Sequence, residues 1–148
     1  MQEFERNLEK NVFQLHGDLR SKKYKRAAYT SFFIQDPKVR HIRKASVRDR
    51  LVHQAIYTAL VRIFEPRLIH DLYSSRLGKG THAGVFAVGR MARKVSKNNT
   101  KPCWTLKCDV RKFYDSVDHV CLINLLGKKV SDDDAMCLIK EVIESFHS

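Results

Sequence analysis

Apolar residues at helical spacing open the chain, where Phe4, Leu8, Val12, Leu15 and Leu19 predict an amphipathic helix over residues 3–19, its last turn loosened by Gly17. The period then shortens. Residues 29–35 and 39–44 read as two strands joined around Asp36-Pro37-Lys38, a hairpin whose turn carries Asp and Pro. A helical period returns at Val47, Leu51, Ala55, Ala59 and Ile63, flanked by Val52, Ile56 and Leu60; Ser46 caps it, its wide apolar face predicts a buried scaffold helix, and Pro66 ends it. After the glycine-flanked loop Arg76-Leu77-Gly78-Lys79-Gly80, a further helix is predicted from Thr81, with Val85, Val88, Met91, Ala92 and Val95 as its apolar side. The polar residues 97–101 make a turn. Pro102 and the apolar run 103–108 then predict a short buried strand that ends at Asp109. Two helices close the pattern, one capped by Asp118 and stopped near Gly127, the other opened by the acids 132–134 and running through Met136, Ile139, Ile143 and Phe146.

Composition adds bounds to this pattern. At 148 residues the chain has the length of one ordinary domain or of parts of two small ones, and 43% hydrophobic residues allow a core. No apolar run approaches the 18 or so residues of a membrane span, and Met1 opens no signal-peptide pattern, so the expected location is cytoplasmic. Cys103, Cys108, Cys121 and Cys137 lack paired C-x-x-C spacing and lie among apolar neighbours, which fits buried free thiols better than a zinc site or a disulfide framework.

Charge changes the picture more. The net charge is +12, but residues 19–101 hold 20 Lys and Arg against four acids, a local net of +16, while the segments on either side each net −2. A region so polarised points to a polyanion, because cations that neutralise phosphates release counterions and gain affinity without reading sequence. The competing reading is a solvated basic face.

Candidate chemistry centres on residues 107–119, Lys-Cys-Asp-Val-Arg-Lys-Phe-Tyr-Asp-Ser-Val-Asp-His. A carboxylate at a strand end, here Asp109, is held on rigid backbone yet faces a cleft, a suitable oxygen ligand for a hard cation such as magnesium. Asp115 and Asp118 fit helix caps as well as ligands. The segment resembles the first catalytic motif of reverse transcriptases of bacterial retroelements, the group II intron and diversity-generating type. Two further stretches are similar to the same family in the same order: residues 43–56 to its second block, and residues 74–84 to the loop and helix start before the palm.

The resemblance covers the chain from about Leu19 onward and implies an α+β fold: helix-rich fingers with a β-hairpin over residues 1–101, then the first part of a right-hand polymerase palm over 102–148. It implies an RNA-directed DNA polymerase working on an RNA template and DNA primer with a deoxynucleoside triphosphate and two Mg2+ ions. Asp109 and the carbonyl of Val110 would bind metal; Arg40, with Lys38 beside it, would hold nucleotide phosphate, and Tyr114 would lie beneath the sugar. Phe113 is expected in the core. Arg43, Lys44, Arg48, Arg76 and Lys79 are the candidate template contacts. The family's second acidic motif has no counterpart in this sequence, so the chain is expected to be inactive alone and to self-associate through exposed palm surface. A non-catalytic RNA-binding module is the alternative.

Overall fold

In a computed structural model, residues 2–145 are described, with the side chains of residues 2 and 3 excepted. They form a mixed α+β structure of helices and one antiparallel hairpin, and they divide into two compact units, Met1–Ile63 with Asp118–Ser148, and Phe64–Val117.

The first unit opens with α1 (Gln2–Arg6) and α2 (Leu8–Arg20), where the periodicity predicted one continuous helix. Asn7 breaks it at φ −126° and ψ 41°. The carbonyl of Phe4 left without a helical partner accepts instead from the Asn11 side chain at 3.0 Å, so the break keeps its hydrogen bonding. Strands β1 (Thr30–Asp36) and β2 (Lys38–Lys44) make the expected hairpin, and the turn is tighter than the sequence suggested, with Asp36 paired to Lys38 and Pro37 alone at the apex. Proline suits that position because its missing N–H costs no ladder hydrogen bond at the apex.

Helix α3 (Val47–Phe64) starts where Ser46 caps it, the hydroxyl accepting from Asp49 N–H at 3.1 Å. It is not buried all round as its pattern predicted. Val52 is buried, with Ile56, Leu60 and Ile63 partly buried, whereas Leu51, Ala55 and Ala59 are exposed, since the packing elements of this unit cover one side only. Leu15, Tyr24 and Val52 form one core cluster, with Leu19, Ile56 and Leu138 against it. A second is made by Val130, Met136 and Ile139 beneath Ile56, Leu60 and Ile63. Helix α6 (His119–Gly127) has the predicted cap, Asp118 accepting from Cys121 N–H at 2.8 Å; α7 (Asp133–Glu144) opens at the acids 132–134 as expected and is capped by Asp132, which accepts from Ala135 N–H at 2.7 Å. Between α3 and α6 the chain runs through α4 (Thr81–Val95) and the short α5 (Phe113–Ser116) of the other unit. Phe146, assigned to the last helix by its spacing, lies outside the described residues.

One buried carboxylate fastens the first unit. Asp49 is 2% exposed and accepts from Tyr24 Oη at 2.7 Å, Ser46 Oγ at 2.7 Å and Ala27 N–H at 3.0 Å. Arg48 beside it donates to Asp18 at 2.7 Å and to the Lys25 carbonyl at 3.0 Å, with its guanidinium 4.9 Å from the Tyr24 ring centroid. These contacts tie the end of α2, the basic connector and the start of α3 together. Burial pushes the Asp49 pKa up, but the hydrogen bonds from Tyr24, Ser46 and Ala27 and the charge of Arg48 outweigh it and hold the carboxyl below its usual value. Burial and the bond to Asp49 push the Tyr24 phenol far above its ordinary value, so it stays a neutral donor.

The second unit carries a 3-10 turn (Glu65–Arg67), α4 and α5. Here three expectations fail. The run 103–108 is extended but is not a strand, and it is exposed, Trp104 to 94%; no other described segment pairs with it, and a strand without a ladder partner leaves its polar backbone to water. For the same reason Cys103 and Cys108 are exposed, as are Cys121 and Cys137, so the four thiols are free but not buried. Phe113, expected in the core, is exposed and meets Tyr114 edge-on at 5.4 Å. Among the described residues no helix is long and apolar enough to cross a membrane.

Replacing Asp49 by Ala leaves three donors unpaired and is expected to lower stability by about 2–4 kcal/mol, read as a fall in the urea midpoint. Because the folded pKa lies below the unfolded value of about 3.9, the unfolded chain binds the extra proton; the contribution is complete above that value and is lost as pH falls through the folded one. Asp49→Asn should therefore narrow the difference between urea midpoints at neutral pH and at about pH 3.

Candidate nucleic-acid interface

The hairpin sorts its cations by face. In the antiparallel register Ile34 opposes Arg40, Phe32 opposes Ile42, Thr30 opposes Lys44 and Asp36 opposes Lys38, so Lys38, Arg40 and Lys44 share one face with Phe32, Ile34 and Ile42. All three cations are exposed, and no described residue makes an ion pair or side-chain hydrogen bond with them. Arg43 stands on the other face beside His41 and Phe33, whose rings stack at 4.8 Å, and it is engaged in an interaction within the chain. The period of two thus divides the predicted contacts of the hairpin into three neighbours and one outlier. β-branched and aromatic residues at Thr30, Phe32, Phe33, Ile34, Val39 and Ile42 hold the strands that present them.

Other predicted contacts are already employed. Arg48 is neutralised by Asp18 and fixed on Tyr24, which makes it a fastener of the fold. In the second unit Arg76 is only 12% exposed in its side chain: Nε and Nη2 reach Glu65 Oε1 at 2.8 and 2.7 Å, and Nη1 donates to the carbonyls of Ile69 at 2.8 Å and Leu72 at 3.3 Å. One guanidinium therefore stitches the loop before α4 to the 3-10 turn. Lys79 donates from Nζ to the His70 carbonyl and lies 5.0 Å from the Tyr73 ring centroid. Gly78 at φ +71° and Gly80 at φ +128° flank it in conformations that side chains resist, and Gly84 lets α4 approach Tyr73, to which a Cβ there would come within 3.4 Å. Glycines read from the sequence as openings for an anion thus have a plainer duty, shaping the loop.

Asp109 and Val110 lie in the exposed extended segment, followed by Lys112 at φ +50° and the exposed Tyr114 on α5. Among the described residues no group of three or more His, Cys, Asp or Glu side chains is placed to hold a metal ion. Magnesium asks for about six oxygens at near-octahedral geometry, which one carboxylate and one carbonyl do not supply, so the donors present do not fit a two-ion site. The sequence missed the Tyr24–Asp49 pair. Its only sequence signal is the spacing of Ser46 and Asp49, which read as an imperfect capping box.

No protein-family model matches the chain. It is 28% identical over 101 residues, 68% of its length, to the uncharacterized 91 kDa protein in cob intron of Schizosaccharomyces pombe. It is 28% identical over 97 residues, 66% of its length, to nuclear intron maturase 1, mitochondrial, of Arabidopsis thaliana, and 24% identical over 110 residues, 74% of its length, to protein YkfC of Escherichia coli. The chain spans 12%, 13% and 28% of the lengths of the yeast, plant and bacterial relatives. At a coarse level, then, its weak homologues include a protein of an intron and an intron maturase.

Arg76→Gln should release the loop it stitches at a cost of about 1–3 kcal/mol to that local structure. Amide hydrogen exchange checks this: the N–H groups of Leu72 and Lys79, which bond Ile69 and Arg76 carbonyls, should exchange faster while those of α7 are unchanged.

Proposed function

We propose that the chain is the fingers and the start of the palm of a group II intron type reverse transcriptase or maturase, and that its basic hairpin contacts RNA and nucleotide phosphate. The observation that carries this reading is the clustering of Lys38, Arg40 and Lys44 on one hairpin face without partners among the described residues. The similarity to a cob-intron protein and to an intron maturase supports it, as does the +16 charge of residues 19–101. Guanidinium and ammonium groups left free in this way bind phosphate oxygens through charge-assisted hydrogen bonds.

Within that reading Arg40 and Lys38 bind the triphosphate, and Tyr114 borders the sugar of the incoming deoxynucleotide. Asp109 is proposed as one carboxylate of a magnesium site in the complete gene product, with the Val110 carbonyl beside it. A second reading is an RNA-binding module without catalysis, for which the exposed cations of the hairpin face suffice. Both readings place RNA on the hairpin. They part at Asp109.

Primer extension by the complete gene product on an RNA template separates them: Asp109→Ala is expected to lower the rate by more than about a hundredfold, the scale at which even the outer partners of metal ligands act. Equal rates would reject the catalytic assignment. RNA binding by the chain itself should weaken in the Lys38→Gln/Arg40→Gln/Lys44→Gln variant, with the slope of log affinity against log salt falling by about 2.

A further inference from the structure

A second basic surface lies on α4, in the other unit. Phe86, Arg90 and Arg93 are spaced i, i+4 and i+7, so they share one face of this helix over about 10 Å of its length. Phe86 is 68% exposed, both arginines are exposed, and neither guanidinium makes an ion pair or hydrogen bond with a described residue. Gly89 sits between them with no atom within 4 Å of where its Cβ would be, which leaves room for a flat group to approach. From Thr81 to Val95 the helix has no acid at all.

The neighbouring Tyr73, with Lys79 over its ring, packs on the Gly84 side of α4, opposite this face. Asp71, on that side, has its carboxylate occupied by His70 Nδ1 at 3.0 Å and Tyr73 Oη at 3.2 Å. A solvated cationic stripe would place its arginines away from apolar groups; here an exposed aromatic ring stands in line with them.

We infer that this face of α4 is a binding site for single-stranded RNA, with Arg90 and Arg93 on the phosphates and Phe86 stacked on a base, separate from the hairpin. Rings that stack bases amid cations that track the backbone are the general device for holding single strands without reading them. The inference rests on the reading that RNA is the partner, and it adds a location that the hairpin does not supply. Among the described residues none pairs with either guanidinium.

Filter binding of the full chain to an unstructured RNA oligonucleotide tests it. Arg90→Gln/Arg93→Gln should weaken binding about 10-fold or more and lower the salt slope by about 1.4, roughly 0.7 for each phosphate of a single strand that is no longer neutralised. Phe86→Ala should weaken binding about 10-fold with the salt slope unchanged, whereas Phe86→Tyr should keep affinity. Because these side chains are exposed, thermal midpoints should match the parent chain. Photocrosslinking of thiouridine-containing RNA to the parent chain should label the peptide that holds Phe86, which needs no variant. Loss of binding in the hairpin triple variant alone, with the α4 variants unaffected and no label on α4, overturns this site and leaves the RNA reading intact. A parent chain that binds no RNA overturns both.

Discussion

A carboxylate taken out of water has to be surrounded by donors, and Asp49 draws three from separate stretches of the chain: Tyr24, Ala27 and Ser46. That requirement sets the path of the connector after α2, since Tyr24 and Ala27 must both reach the first turn of α3. Leu15 and Val52 pack against the same tyrosine, so the polar fastener and the apolar cluster are two sides of one contact. Arg48 and Asp18 close it from outside. The hairpin follows this connector directly, and its anchored start lets a two-stranded sheet with exposed faces leave a fixed point of the fold.

Cations in this chain do two kinds of work, and their partners distinguish them. Arg48 and Arg76 are held by Asp18 and Glu65, and each also donates to backbone carbonyls, so both stabilise loops. Lys38, Arg40 and Lys44 on the hairpin, and Arg90 and Arg93 on α4, have no such partners among the described residues. Four acids in residues 19–101 cannot match 20 cations, and three of the four are spent on fasteners: Asp49, Glu65 and Asp71 each accept hydrogen bonds inside their own unit. The remaining charge is left facing solvent, available to a polyanion.

Local signals in the sequence translated well. Ser46 and Asp118 cap the helices they were expected to cap, the acids 132–134 open α7, and the residues around Pro37 form the hairpin within one residue of the predicted bounds. Those features depend on neighbours a few positions away. What failed depends on distant partners: the apolar run 103–108 has the composition of a strand but pairs with no described segment, and the apolar face of α3 is covered on one side only. Asp49 was hidden for the same reason, because nothing local shows that Tyr24, 25 residues earlier, donates to it. For the site, the strand register brings Lys44 to the face of Lys38 and Arg40 and separates it from Arg43, with which the sequence had grouped it, and Arg48 and Arg76 look identical to these cations until their carboxylate partners are seen.

If RNA lies on the partner-free cations of the basic segment and not on the fasteners, hydrogen exchange of the chain with and without RNA will show where. Slowed exchange in β1, β2 and α4, with α2 and α7 unchanged, is the predicted footprint; slowing confined to α2 and α7, or none in the hairpin and α4 at RNA concentrations that saturate binding, would contradict it.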